Sequence, residues 1–180
     1  MAITYRPAAA NDVAGIVAAF LDCWRDSYAA VLPARLVARM TDERANDLWT
    51  RVLEEAAPGE VIVAESDEAS GPVILGVTRY SVEAGEGMVH SLYVSPLAQG
   101  RGVGTRLLNA AADALAEAGV VTARLWVFRD NAPSLAFYRR NGWIPDGRTR
   151  VQDDLGEPEI RLGRNLAEGR AALNRPAEQP

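Results

Sequence analysis

Apolar residues recur at helical spacing in the first third of this chain and at alternating positions in the middle, so the pattern alone divides it into helix-rich and strand-rich stretches. Ile3 to Arg6 is a short β-prone run closed by Pro7, which lacks the N–H that a ladder needs. Val13, Ile16, Val17, Phe20, Leu21 and Trp24 then fall on one helical face, with Asn11 or Asp12 available as N-cap and with Trp24 and Tyr28 at the C-terminal end. Pro33 opens a second helical stretch with Leu36, Val37 and Met40 on one side, and a third runs from Asp42 to about Glu55 behind Leu48, Trp49, Val52 and Leu53. After the Pro58-Gly59 break the period becomes that of strands: Val61–Ala64, Val73–Tyr80 and Met88–Val94, separated by polar turns, predict an antiparallel meander. A helix follows from about Gly102 to Ala118, with Val103, Leu107, Leu108, Ala111, Ala112 and Leu115 inward and Gly119 as its stop. Thr122–Phe128 is a strand, Asn131 opens a helix that ends at Asn141-Gly142, and Trp143-Ile144 and Glu159–Leu162 supply the last strands. Alternation of strands and helices in the second half only predicts an α/β (α+β) domain whose mixed sheet is mostly antiparallel and flanked by helices.

A chain of 180 residues fits one decorated domain; residues 1–166 are expected to form it, and 167–180, with few large apolar side chains, a poorly packed tail. A hydrophobic share of 48% against 24% charged residues supports a real core. Cys23 is the only cysteine, which rules out an intrachain disulfide and a thiolate zinc cluster, so no metal is expected. The first residues, Met1 to Arg6, show no basic segment followed by an apolar one, and no run nears the ~20 apolar residues of a membrane helix, so the expectation is a cytoplasmic protein without membrane partner. The net charge of −5 removes the electrostatic footprint of a nucleic-acid binder and would suit a cationic substrate. A homodimer is compatible with the sequence.

The most informative segment is Leu92-Tyr-Val-Ser-Pro-Leu-Ala-Gln-Gly-Arg-Gly-Val-Gly104, a strand, a loop and the start of a helix. Glycines before a helix present unpaired N–H groups at the positive end of its dipole and admit a bulky anion such as a pyrophosphate, although they also serve as a plain tight turn. A Walker A loop would end in Gly-Lys-Ser/Thr, where this chain has Gly104-Thr105-Arg106. A dinucleotide fingerprint would need its third glycine at Thr105 and would open a parallel sheet.

Gln99-Gly100-Arg101-Gly102-Val103-Gly104 resembles the Gln/Arg-x-x-Gly-x-Gly/Ala acetyl-CoA motif of the GNAT superfamily. A second segment, Asn131-Ala-Pro-Ser-Leu-Ala-Phe-Tyr138 followed by Gly142-Trp143, is similar to that family's later Asn-x-x-Ala-x-x-Phe-Tyr signature, with Ser134 where alanine is usual. The resemblance extends over about Ile3 to Leu166 and implies the GNAT fold, splayed at the cofactor site, and acetyl transfer from acetyl-CoA to a primary amine. It assigns the pyrophosphate to the backbone of Gln99, Gly100, Arg101, Gly102, Val103, Gly104 and Thr105, and the pantetheine arm to the strand end Leu92, Tyr93 and Val94. It further assigns Asn131 and Ser134 to the cofactor and sets Tyr138 beside the thioester sulfur.

Chemistry gives Tyr138 a purpose, because a phenol at the sulfur stabilises the departing thiolate. The attacking amine, with a free pKa of about 10.4, must lose a proton. His90, which strand alternation puts on one face with Met88 and Leu92, is the candidate base. Family members carry a glutamate near Met88, so Glu86, Glu83 and a water chain stay open as alternatives. Trp24 and Tyr28 resemble a Trp-Arg-x-x-Tyr run of bacterial relatives; they could wall an acceptor pocket, with Asp22 or Asp26 as counter-charge, or pack the core. Cys23 is read as an inert thiol. The acceptor expected is a small-molecule amine; a protein N-terminus or lysine, or a non-catalytic coenzyme A module, are the competing readings.

Overall fold

The computed structural model describes residues 2–68 and 71–167; the expected tail lies outside the described residues from 168 onward. Seven strands form one sheet in the order β1-β2-β3-β4-β5-β7-β6. They are β1 (Ile3–Pro7), β2 (Val61–Glu68), β3 (Gly71–Glu83), β4 (Glu86–Val94), β5 (Thr122–Phe128), β6 (Ile144–Val151) and β7 (Pro158–Asn165). Every neighbouring pair is antiparallel except β4 and β5. The helices are α1 (Val13–Cys23), α2 (Ala34–Val37), α3 (Asp42–Glu55), α4 (Val103–Glu117) and α5 (Ala132–Arg140).

The meander is built as its pattern predicts. Glu83 pairs with Glu86 across a two-residue hairpin in which Ala84 and Gly85 both take positive φ, 50° and 84°, the turn whose twist suits a β-hairpin. One face of the sheet carries α1 and α3, where Phe20, Trp24 and Trp49 pack against Val63 and Val77. The other carries α4 and α5 over Leu125, Leu162 and Trp143. Trp49 is fully enclosed, so Trp49→Ala should cost about 3–5 kcal/mol by cavity formation.

Two local expectations are corrected, the capping role of Asp12 and the extent of the last strands. Asp12 stands at the N-cap of α1, yet its side chain turns back to accept from Ala9 N–H at 2.8 Å and from Arg6, so it ties the first strand to the helix rather than capping it. The first helix carries Trp24 and Tyr28 at its C-terminal end as the spacing predicts, and its last turn, Trp24–Tyr28, is π-helical, a widened geometry frequent at functional sites. The last strands run well beyond their apolar cores, because β6 is a wholly exposed edge strand without the alternation that reveals a strand in sequence.

Candidate active site

β4 and β5 are parallel partners over three pairs only, Gly87 with Ala123, Met88 with Arg124 and Val89 with Leu125; beyond these the sheet splays. The cause lies in β4 itself. On β3 the consecutive residues Arg79 and Tyr80 face Ser91 and Val89, so His90 is an extra residue, a β-bulge. The bulge changes the parity of the strand. Before it, Gly87 and Val89 face α4; after it Leu92 and Val94 do, while Tyr93 joins Phe20 and Trp49 on the opposite face. The expected sharing of one face by Met88, His90 and Leu92 is therefore wrong, since alternation holds only for an unbulged strand. Ser95 N–H donates to the Leu75 carbonyl, and alternation along β4 thus turns the main-chain polar groups of Leu92 and Val94 toward the gap.

A short 3₁₀ turn, Pro96–Ala98, leads from this strand end to the glycine loop. Gly100 and Gly102 have φ of +74° and +78°, and a Cβ on either would meet no atom within 4 Å. Their glycines are thus required by left-handed backbone, which leaves open space beside the loop. Gly102 caps α4 without a side-chain hydrogen bond, and the first intrahelical bond in the loop runs from Arg106 N–H to Gly102 at 3.1 Å. The amides of Val103, Gly104 and Thr105 thus open the helix at its positive end. Gly104 differs: a Cβ there would lie 3.4 Å from Phe137 and from Val94, in contact with α5 and β4 rather than beside open space. Gln99 turns away and donates from Nε2 to Ser27 Oγ at 2.8 Å, Arg101 is exposed, and Val103 is buried.

Where the strands part, a cleft of about 290 Å³ opens between the π-helical turn, β4, β5, α5 and the segment joining β6 to β7. It gathers Trp24, Tyr28, His90, Leu92, Tyr93, Ser134 and Tyr138 from the expected set. Residues 99–105 and Asn131 do not line it. Asn131 is buried and its side-chain oxygen accepts from Ser134 N–H at 3.1 Å, so it fixes the start of α5, the helix that carries Tyr138. Trp24 and Tyr28 lie parallel with ring centroids 4.9 Å apart, and Tyr28 meets Phe128 edge-on at 5.9 Å. They are at once core and wall: Trp24 is buried, and both rings border the cleft.

Burial holds the hydroxyls of Tyr28, Tyr93 and Tyr138 well above the ordinary tyrosine range, so all three remain protonated donors. Burial likewise pushes the Cys23 thiol up to about 11 and keeps it inert. His90 Nε2 lies 2.7 Å from Ser81 Oγ and 3.2 Å from Glu83, which leaves Nδ1 for the cleft. Burial, aided by Arg79, lowers the imidazole pKa; Glu83 opposes but does not outweigh them, and His90 is neutral at pH 7. Glu86 is paired with Arg124 at 3.2 Å and does not border the cleft.

The acidic side of the cleft was missed. Asp22 and Asp26 are exposed and absent from its walls. The carboxylates present are Glu159 of β7 and Asp154 of the joining segment, with Arg150 of β6 and Arg44 of α3 beside them. Glu159 alternates with Ile160 and Leu162 and reads in sequence as an outward-facing charge; its cross-strand partner Arg150, nine residues earlier, is the signal that could have exposed it. Among the described residues no three His, Cys, Asp or Glu side chains converge as a metal site would require.

The model of the acetyltransferase (GNAT) family matches residues 17–143. An uncharacterized N-acetyltransferase of Bacillus subtilis (strain 168) is 28% identical over 140 residues, which span 76% of this chain and 78% of that protein. A mycothiol acetyltransferase of Clavibacter michiganensis subsp. michiganensis is 48% identical over 67 residues, 37% of this chain but only 22% of the relative's length. Among solved structures, the PaiA N-acetyltransferase of Thermoplasma acidophilum in complex with coenzyme A superposes with a TM-score of 0.69 at 18% identity, covering 92% of this chain and 99% of that one.

Proposed function

The chain belongs to the GNAT acetyltransferase family, and on that premise we propose that it transfers the acetyl group of acetyl-CoA to the primary amine of a small molecule by direct attack. The observation that carries this reading is the junction of two features: an uncapped α4 N-terminus after left-handed glycines, and a gap between β4 and β5 that ends at Tyr138. The loop amides suit a pyrophosphate, and the gap-facing main chain of Leu92 and Val94 suits an extended amide-bearing arm that pairs like an added strand. Gln99 holds the loop against Ser27, and Ser134 borders the same cleft.

Acetyl-CoA supplies the activated acyl group; the residues supply position and protons. Nδ1 of His90 takes the proton of the acceptor ammonium, directly or through water, and Ser81 and Glu83 hold the ring from its other nitrogen. The amine nitrogen then bonds to the acetyl carbon as the carbon–sulfur bond breaks. Tyr138, kept protonated by burial, donates to the departing sulfur and recovers its proton from the amide nitrogen's lost proton through solvent. A small acceptor is favoured because the cleft is walled by Trp24, Tyr28 and the β6–β7 segment and its volume of about 290 Å³ falls at the small end of small-molecule sites.

The test is thiol release from acetyl-CoA across a panel of small amines and short peptides, with products identified by mass. Acetylated small amines are expected. Turnover confined to peptides would transfer the reading to a protein acceptor, and acetyl-CoA binding without any turnover would leave a binding module.

A further inference from the structure

Glu159 and Arg150 face each other across the β6–β7 ladder, with Arg150 Nε donating to Glu159 Oε2 at 2.7 Å. The two ends of the pair are unlike. The Glu159 side chain is 9% exposed, at the floor of the cleft, while Arg150 is 48% exposed and its guanidinium lies 4.4 Å from the centroid of Trp126. Glu159 is also near enough to Tyr28 and Tyr93 that its charge adds to burial in raising both hydroxyls, which puts it beside the wall of the reaction cleft. Sinking a carboxylate this far costs desolvation that an apolar pair would avoid. The surrounding edge strand β6 is otherwise wholly exposed and gains little from the arrangement.

We propose that the acceptor is a zwitterion of the amino-acid class, its ammonium received by Glu159 and its neighbouring carboxylate by Arg150. This rests on the reading of the cleft as the acceptor site. A simple alkylammonium at Glu159 would displace Arg150 and leave two like charges side by side. An α-amino acid carries its opposite charges one carbon apart, so it inserts into a contact pair such as this one and gives each side chain a new partner. The charges around the cleft agree: Arg44 and Arg150 balance Asp154 and Glu159, and Arg44 is already 4.0 Å from Asp154. A net-neutral acceptor fits such a lining, whereas a polyamine would bring positive charges that nothing there answers. Trp126 holds the guanidinium by its face and keeps it in the cleft during the exchange.

The experiment compares kcat/KM for α-amino acids, their methyl esters and the amines that lack the carboxyl carbon. The wild-type protein should favour the amino acid over both by about tenfold or more, in line with one charge-assisted pair. Arg150→Met should remove that preference, lowering kcat/KM for the amino acid about 10–100-fold while the ester and plain amine do not fall, because the like charge beside their ammonium is gone; Arg150→Lys should restore part of it. Glu159→Gln should raise KM for all amines, with acetyl-CoA affinity retained in calorimetry. Equal turnover of acid and ester by the wild-type protein overturns the inference without any variant, even if Arg150→Met fails to fold, and leaves amine acetylation standing. Binding of acetyl-CoA with no amine acetylated sinks the proposed function and this inference together.

Discussion

The two halves of the candidate site are made in different ways. The half proposed for the phosphates is local: one run from Leu92 to Thr105 passes from strand end through glycine loop to helix start, and it would act through its backbone. The acceptor half draws Trp24, His90, Trp126, Tyr138, Arg150 and Glu159 from six separate elements, and its chemistry is that of side chains. A backbone site is robust to substitution except where conformation demands glycine, whereas a side-chain site can be retuned residue by residue. The first half thus suits an invariant cosubstrate, and the second a particular acceptor.

The largest test of this division is Tyr138→Phe, which keeps the ring and deletes the donor. It should lower kcat by about 10²-fold, the small end of general acid effects, because a thiol of pKa about 8.5 leaves fairly well unaided. Steady-state kinetics with a fixed acceptor decide it, and a change within about twofold would return Tyr138 to a packing role. A smaller effect is expected at His90. Its pKa is lowered by burial, so it stays neutral to a pH below the ordinary value of about 6.5, and kcat/KM should fall only as pH drops through that depressed value. His90→Gln should remove this acid limb and reduce kcat/KM about tenfold, less than the usual general-base effect, because Glu83 and water remain nearby. A limb that persists unchanged in the variant would assign the base elsewhere. The smallest effect is expected at Gln99, whose bond to Ser27 ties the two halves together. Gln99→Ala should raise both KM values about two- to threefold, the loss of one neutral hydrogen bond; a shift in the acetyl-CoA value alone would show that the halves are independent.

The same division explains what was legible in the sequence. The glycine loop and the Asn131–Tyr138 segment could be read because each is a continuous local pattern, and helices with strong apolar stripes, such as α3 and α4, fell where the spacing put them. The His90 bulge could not be read, since an inserted residue leaves periodicity intact on either side and shows only through the register of the partner strand. Glu159 was missed for a related reason: whether an alternating charge faces solvent or a cleft depends on what covers that face, here Trp24 and Tyr28 from a distant part of the chain. The proximity of Gly104 to Phe137 and Val94 likewise leaves no trace in the sequence, because it arises only in three dimensions.

The account holds that backbone conformation at the loop, and not the chemistry of the cleft, binds the cosubstrate. Calorimetric titration of acetyl-CoA into Gly102→Val and into Tyr138→Phe tests this most directly. A β-branched residue forced to φ of +78° costs about 1–2 kcal/mol in left-handed strain, so Gly102→Val should lose about tenfold or more in affinity while Tyr138→Phe stays within about twofold of wild type. Wild-type affinity in Gly102→Val, or an equal loss in both proteins, would contradict the account.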